Sequence, residues 1–241
     1  MGIMKKITDK ARSVKDKQAI GKDELSKATE LLQKYKQGKT NLEQRIITDE
    51  DFYRLRYNSK AGSKSKPSTA WLLNSVINKH ADLMDNYPEA VCLPRELSDE
   101  QDAQALSEII PVVMENNGYE KTYSSAAWYY IKHGMCAQGV FWDSTKQNGL
   151  GDITIKNIDI LNLFWEPGIT DIQDSANLFY VSLADSEALK ATYPELADVP
   201  GGEVINVSQY NYDESVDTSD KTLVVDWYYK KALDDGRTVL H

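Results

Sequence analysis

Apolar residues first recur at helical spacing at Leu25, Ala28, Leu31, Leu32 and Tyr35, with Gly38 placed as a stop, so the spacing predicts an amphipathic helix over 23–37. A second helical stretch is expected from Leu42 to Tyr57. The run from Asn58 to Ser68, rich in Lys, Ser and Gly and containing Pro67, breaks the periodicity and reads as a linker. After it, Ser68 or Thr69 can cap a helix with Leu72, Val76, Ile77, Leu83 and Met84 as its apolar positions. That helix ends before Pro88, because a proline disfavours helical geometry at the residue preceding it. Val91 to Arg95 is expected to be extended. Ser98 with Gln101 forms a capping-box pattern for a helix carrying Ala103, Leu106, Ile109, Ile110 and Val113, which Pro111 should kink. A third core helix is predicted over Tyr119–His133, dense in aromatics, with Gly134 as its C-terminal cap.

The period then changes from helix to strand. Val140, Phe141 and Trp142 lead into the turn Gln147-Asn148-Gly149, and Asp152 to Ile160 alternates apolar and polar residues. A parity shift at Lys156-Asn157 predicts a bulge or bend. Further strands are expected at Leu178–Leu183, Val204–Tyr212 and Leu223–Lys231, with a short helix over Ser186–Thr192 stopped by Pro194. Asp234-Asp235-Gly236 reads as a hairpin turn, after which Arg237 to Leu240 begins a returning strand. A strand that short gains little pairing, so the pattern is that of a fragment truncated at its C-terminus, with an open sheet edge near Asp226 to Leu240. The fold class is α+β, N-terminal helices followed by a mostly antiparallel sheet.

Composition sharpens this organisation. Of 241 residues, 41% are hydrophobic, enough for a sizeable core. No apolar run approaches the roughly 20 residues that cross a bilayer. Cys92 and Cys136 lack CxxC spacing, so a disulfide framework is not expected and a reducing compartment fits. The net charge of -9 is uneven: residues 1–66 carry 17 Lys and Arg against 9 Asp and Glu, leaving 11 against 28 for residues 67–241. A basic helical N-terminal extension (1–66) of net +8 therefore precedes an acidic α+β domain (67–241) of net -17. A solvated helical extension accounts for the basic part more simply than a nucleic-acid arm does.

Candidate chemistry is sparse. His133 and Cys136 offer an HxxC pair, but zinc needs four ligands or three plus water, and no third residue orients a Cys-His nucleophile. Asp152, Asp159, Glu166, Asp171 and Asp174 cluster in sequence, yet in so acidic a domain solvated carboxylates are the default. Gly149-Leu150-Gly151-Asp152 lacks the spacing and the lysine of a phosphate loop. The 14 Tyr and 5 Trp invite a base-stacking reading, but most sit in the acidic part, where packing and subunit contacts suit them better. No catalytic residue, cofactor or metal ligand is assigned on this basis. The residues read as a non-catalytic α+β module with interaction surfaces.

Several segments carry a resemblance: Ala70-Trp71-Leu72-Leu73-Asn74-Ser75, Asn78-Lys79-His80-Ala81-Asp82, Tyr87-Pro88-Glu89, Leu93-Pro94-Arg95-Glu96 and Phe141-Trp142-Asp143. Asn162-Leu163-Phe164-Trp165-Glu166-Pro167-Gly168, followed by Asp171-Ile172-Gln173-Asp174-Ser175, is the strongest of them, and Val224-Val225-Asp226-Trp227-Tyr228-Tyr229 continues the series. In this order they resemble the N-terminal part of tailed-bacteriophage portal proteins, over most of residues 40–241. The resemblance implies a non-enzymatic subunit of a dodecameric ring at a capsid vertex, serving DNA packaging, genome ejection and head-tail connection. It implies a virion protein, present in host cytoplasm during assembly, with capsid, scaffold and head-completion proteins as partners and no membrane. Double-stranded DNA would pass through the ring without sequence recognition. The chain would end inside the first wing portion, so that packaging-motor contacts fall to missing stem and clip segments. Trp128, Tyr129 and Trp165 are the candidate subunit interface. Two other readings make different predictions: a DNA-binding module using residues 1–66, and a metal-dependent hydrolase using Glu166, Asp171 and Asp174. A defective prophage remnant that never assembles is a further possibility.

Overall fold

The computed structural model describes residues 22–56, 69–193, 220–232 and 238–240. Among the described residues four helices come first: α1 (Lys22–Tyr53), α2 (Trp71–Asp85), α3 (Glu100–Asn116) and α4 (Tyr119–His133). A hairpin of β1 (Ala137–Asp143) and β2 (Asp152–Ile158) follows. After it come β3 (Leu163–Trp165), β4 (Asn177–Asp185), the short helix α5 (Ser186–Thr192), β5 (Lys221–Ala232) and β6 (Thr238–Leu240). The hairpin is one antiparallel sheet, and β3-β4-β5-β6 is a second, also antiparallel throughout. The α+β class expected from the pattern is the class observed.

Helix α1 does not stop at Gly38. It runs unbroken for 32 residues and absorbs both stretches expected as separate helices. The buried and half-buried positions Ala28, Leu32, Tyr35, Lys39, Leu42, Ile46 and Glu50 recur every three or four residues along one face. Two of them are ionisable, which is why the apolar pattern alone breaks in the middle. Gly38 has a different use: a Cβ there would lie 2.6 Å from Cγ of Pro167, so the glycine lets the loop after β3 press against the helix. Leu25, expected on the packed face, is exposed.

The helix spans both layers. Its first half lies on the four-stranded sheet, where Ala28 and Tyr35 join Phe164, Phe179 and Val181 in one buried cluster. Phe164, Phe179 and Trp227 are register partners on β3, β4 and β5, and form a row across the sheet. Tyr35 meets the Phe179 ring edge-on at 5.8 Å, and Trp227 stacks on it at 6.0 Å. Phe179 is only 1% exposed. The second half of α1 packs Ile46 against Leu161, with Leu42, Ile47, Tyr129 and Ile160 around them.

Other boundaries test local chemistry. Helix α4 spans Tyr119–His133 as expected, and Gly134 closes it in the left-handed conformation (φ 75°), donating its N–H to Tyr130 O. Helix α5 also matches; Asp185 caps it by accepting from the N–H groups of Glu187 and Ala188 at 3.0 Å. The caps expected of α2 and α3 are not formed. Ala70 is the N-cap of α2, and a 3-10 turn over Leu97–Asp99 shifts the start of α3 so that Ser98 donates to Asp99 instead of capping. Helix α3 continues past Pro111 to Asn116. The β1–β2 register is unbroken from Asp143↔Asp152 to Ala137↔Ile158, so no bulge exists at Lys156-Asn157. The parity shift instead means that Ile158 lies on the face of Thr154, opposite Ile153 and Ile155, while Ile160 belongs to a 3-10 turn, Ile160–Asn162, that Asp159 caps. Strand β3, three residues long, was not anticipated. The expected turn at Gln147-Asn148-Gly149 is present, with all three residues at positive φ. Ser68, Pro194, the strand at Val204–Tyr212, and the turn at Asp234-Asp235-Gly236 lie outside the described residues. Strand β6 pairs with Lys230–Ala232 of β5, so among the described residues the outer edge of β5 from Lys221 to Tyr229 has no partner.

Replacing Gly38 by Ala inside a helix would ordinarily stabilise by about 1 kcal/mol. Here the contact with Pro167 should cancel that gain, and Gly38→Leu should destabilise by about 1–3 kcal/mol in urea unfolding. A Gly38→Ala protein more stable by the full propensity difference would show that the loop does not press on the helix.

Candidate functional site

The densest polar chemistry lies inside, where α1 meets α4. Glu50 is 1% exposed. Its carboxylate accepts from Arg54 Nε at 2.6 Å and from Lys132 Nζ at 2.7 Å, and His133 Nε2 lies 3.5 Å away. Arg54 is one helical turn on, whereas Lys132 and His133 come from the last turn of α4. Burial by itself would raise the Glu50 carboxyl; the hydrogen bonds from His133, Lys132 and Arg54 outweigh it and hold the pKa at about 2. Lys132 in turn lies 4.8 Å above the Tyr53 ring and 5.5 Å from Tyr129, so its charge is met by π faces as well.

Three helical turns earlier on the same face, Lys39 meets the segment that leads into β3. Its Nζ donates to the carbonyls of Leu163, at 2.8 Å, and Ile160, and sits 4.3 Å over the Phe164 ring. Glu43, 3.7 Å away, is its nearest carboxylate. Burial lowers the Lys39 pKa to about 8, against the opposing pull of Glu43 and Asp159.

In both centres the charged groups are engaged by fixed neighbours. His133 and Cys136 do line one small cavity, with Ile46, Tyr129, Ile158 and Ile160 among its walls. His133 is turned to Glu50, and burial pushes the Cys136 thiol up, away from the thiolate a nucleophile needs. Among the described residues no group of three or more His, Cys, Asp and Glu is placed to hold a metal ion.

The carboxylates that cluster in sequence are dispersed into local backbone roles. Asp159 accepts from Leu161 N at 2.9 Å, Asp171 from Gln173 N at 2.8 Å, and Asp152 from its neighbour Ile153 N at 2.7 Å. Glu166 accepts from Ala176 N at 3.4 Å, and its own N–H donates to the Ser175 hydroxyl. These are turn and cap contacts of Asp and Glu side chains, and Glu166, Asp171 and Asp174 are not gathered around a common point.

Trp128, Tyr129 and Trp165 are half-buried, each with a partner inside the chain. Trp128 stacks on His80 at 4.3 Å and meets Tyr53 edge-on; Tyr129 packs on the Ile46–Leu161 cluster; Trp165 lies near Lys39. The strongly exposed aromatics are others, Trp71 and Trp142. Their exposure was not legible from residue type, since both stand in segments expected to pack. The pairing of Glu50 with α4 was missed as well, because a lone acidic residue on a helix ordinarily faces water.

A family model described as phage P22-like portal protein matches residues 72–240, more than two thirds of the chain, and the chain belongs to that family. It is thus a structural component of the phage particle. No curated protein matches the chain.

Two titrations follow from the buried centres. Glu50 has a folded pKa below its unfolded value, so its contribution, on the order of 3 kcal/mol, is present above about pH 4.5 and is lost as pH falls toward 2. Glu50→Gln should flatten stability over that range and cost about 3–5 kcal/mol at pH 7, read by urea unfolding. Lys39 has a folded pKa below its unfolded value too, so its pH dependence has the same sign, although here it is the charged form that burial penalises. The unfolded chain holds the extra proton between pH 8 and 10.5, so stability should rise across that window. Lys39→Met should abolish the rise, and a wild-type stability that stays flat there would show Lys39 to be solvated.

Proposed function

We propose that this chain forms the wing portion of a portal ring at one vertex of the capsid, through which double-stranded DNA is packaged and ejected. The match to the portal family over residues 72–240 carries the reading. The ring is dodecameric, and capsid, scaffold and head-completion proteins are its partners; the packaging motor docks through stem and clip segments. The protein resides in the virion, after assembly in the host cytoplasm. No described helix is long and apolar enough to cross a membrane.

Two physical features support this reading. A ring that lets DNA of any sequence slide must not grip phosphates, and the net charge of -17 over residues 67–241 opposes the counterion release that drives tight DNA binding. Helices precede and pack on an antiparallel sheet here, and the one long helix among the described residues lies on the sheet with its first half and on α4 with its second. The open edges of Trp128, Tyr129 and Trp165 are proposed to meet the neighbouring subunit.

Sedimentation of the full chain is expected to show a concentration-dependent species of ring size, and a monomer at every concentration would overturn self-assembly by this chain. In a mobility assay at low salt, a random-sequence duplex should not be retarded by the chain. Retardation that weakens steeply with added salt would instead support the module that binds DNA through residues 1–66.

A further inference from the structure

Helix α3 is thinly covered. Of its residues only Ala103 is buried, and Ser107 and Ile110 continue that inward face. On the other flank Leu106, Ile109 and Val112 follow at three-residue intervals, all about half exposed. The extended segment beside them is tied to α3 by Ser107, whose hydroxyl accepts from Cys92 N at 2.9 Å and donates to Cys92 O at 3.3 Å. This leaves Val91 and Leu93 in solvent next to the stripe, Leu93 being 81% exposed. Contiguous apolar surface of this kind marks an interaction site in a soluble protein. Its charge is one-sided: α3 carries Glu100, Asp102, Glu108 and Glu115 and no Lys or Arg.

The complementary pattern is in the same chain. Residues 1–21 carry six Lys and Arg against Asp9 and Asp16, with Ile3, Ile7 and Val14 at helical spacing. They lead into α1, whose first turns lie on the four-stranded sheet and whose Glu50 marks the junction with α4, the helix on which α3 packs. From residue 22 to residue 50 the helix rises about 42 Å, so the described chain begins a full helix length from the junction with α4.

We infer that residues 1–21 of one copy dock on the apolar, acidic flank of α3 in the next copy. The apolar positions of the segment cover Leu106, Ile109 and Val112, and its lysines meet the carboxylates around them. The inference rests on the ring reading above and names which surfaces meet.

The test is zero-length carbodiimide cross-linking of the full chain, mixing isotopically light and heavy protein before digestion and mass spectrometry. The expected result is linkage of Lys5, Lys6, Lys10, Lys15 or Lys17 to Glu108 or Glu115 in mixed light-heavy pairs. Ile109→Glu, at a half-exposed position that leaves the fold intact by circular dichroism, should lower that yield roughly tenfold. Links confined to one isotope would place the segment on its own α3 and overturn the inference, as would links from Lys60, Lys64 or Lys66 in its place. If the chain sediments as a ring with no head-to-α3 links, this contact alone fails. If it stays monomeric throughout, the ring reading fails and the contact with it.

Discussion

The position of α1 is set by two buried charges on its inner face, three turns apart, that meet different partners. Glu50 can be ionised in the interior only where Arg54, Lys132 and His133 surround it, and Lys39 can be buried only where the Leu163 and Ile160 carbonyls receive it. The two residues are eleven apart, so their partners must be held at a matching spacing in two different layers. Sliding α1 by one turn would strand a carboxylate and an ammonium at once. Apolar contacts such as Tyr35 on Phe179 and Ile46 on Leu161 stabilise the packing but discriminate weakly between neighbouring registers, since one apolar side chain replaces another at modest cost. Buried ion pairs are weak contributors to net stability, but removing one partner strands the other, so they penalise misplaced registers strongly.

This arrangement explains why the basic count of residues 1–66 is a poor guide to what that segment does. The described part of it is a packed helix, with Ala28, Tyr35, Ile46 and Glu50 buried, and its partners are a sheet and a helix of the acidic body. Net charge reports long-range field, whereas the fate of a helix is decided by the few positions on its inner face. The net negative charge belongs to the body, and α1 is joined to that body by groups whose charges are satisfied internally.

How much of this was legible in the sequence depends on how local the determining physics is. Helix α4 and helix α5 were readable at both ends because Gly134 and Asp185 act on their own turns. The continuity of α1 was not, because Lys39 and Glu50 hold places where the hydrophobic pattern demands apolar residues, and apart from Glu43 and Arg54 the groups that make them acceptable lie more than eighty residues away. Strand β3 is too short for alternation to register, and it exists because Phe164 joins a row completed by Phe179 and Trp227. At the site level the carboxylates from Asp152 to Asp174 were visible as a cluster, while their separation onto individual turns is a property of the folded backbone. Asp ahead of a turn, as at Asp159 and Asp171, was the available signal. The family, by contrast, was carried by the order of many short segments and needed no reactive residue.

A helix of this length, held to the sheet at Tyr35, to the turn before β3 at Lys39 and to α4 at Glu50, also behaves as a mechanical member. Three attachment points along one rod leave it little freedom to bend or roll, so a force applied at Lys22 is shared between the sheet and the helical layer. The two layers then shift together as one stiff piece, and any give in the subunit falls to the connections that α1 does not bridge.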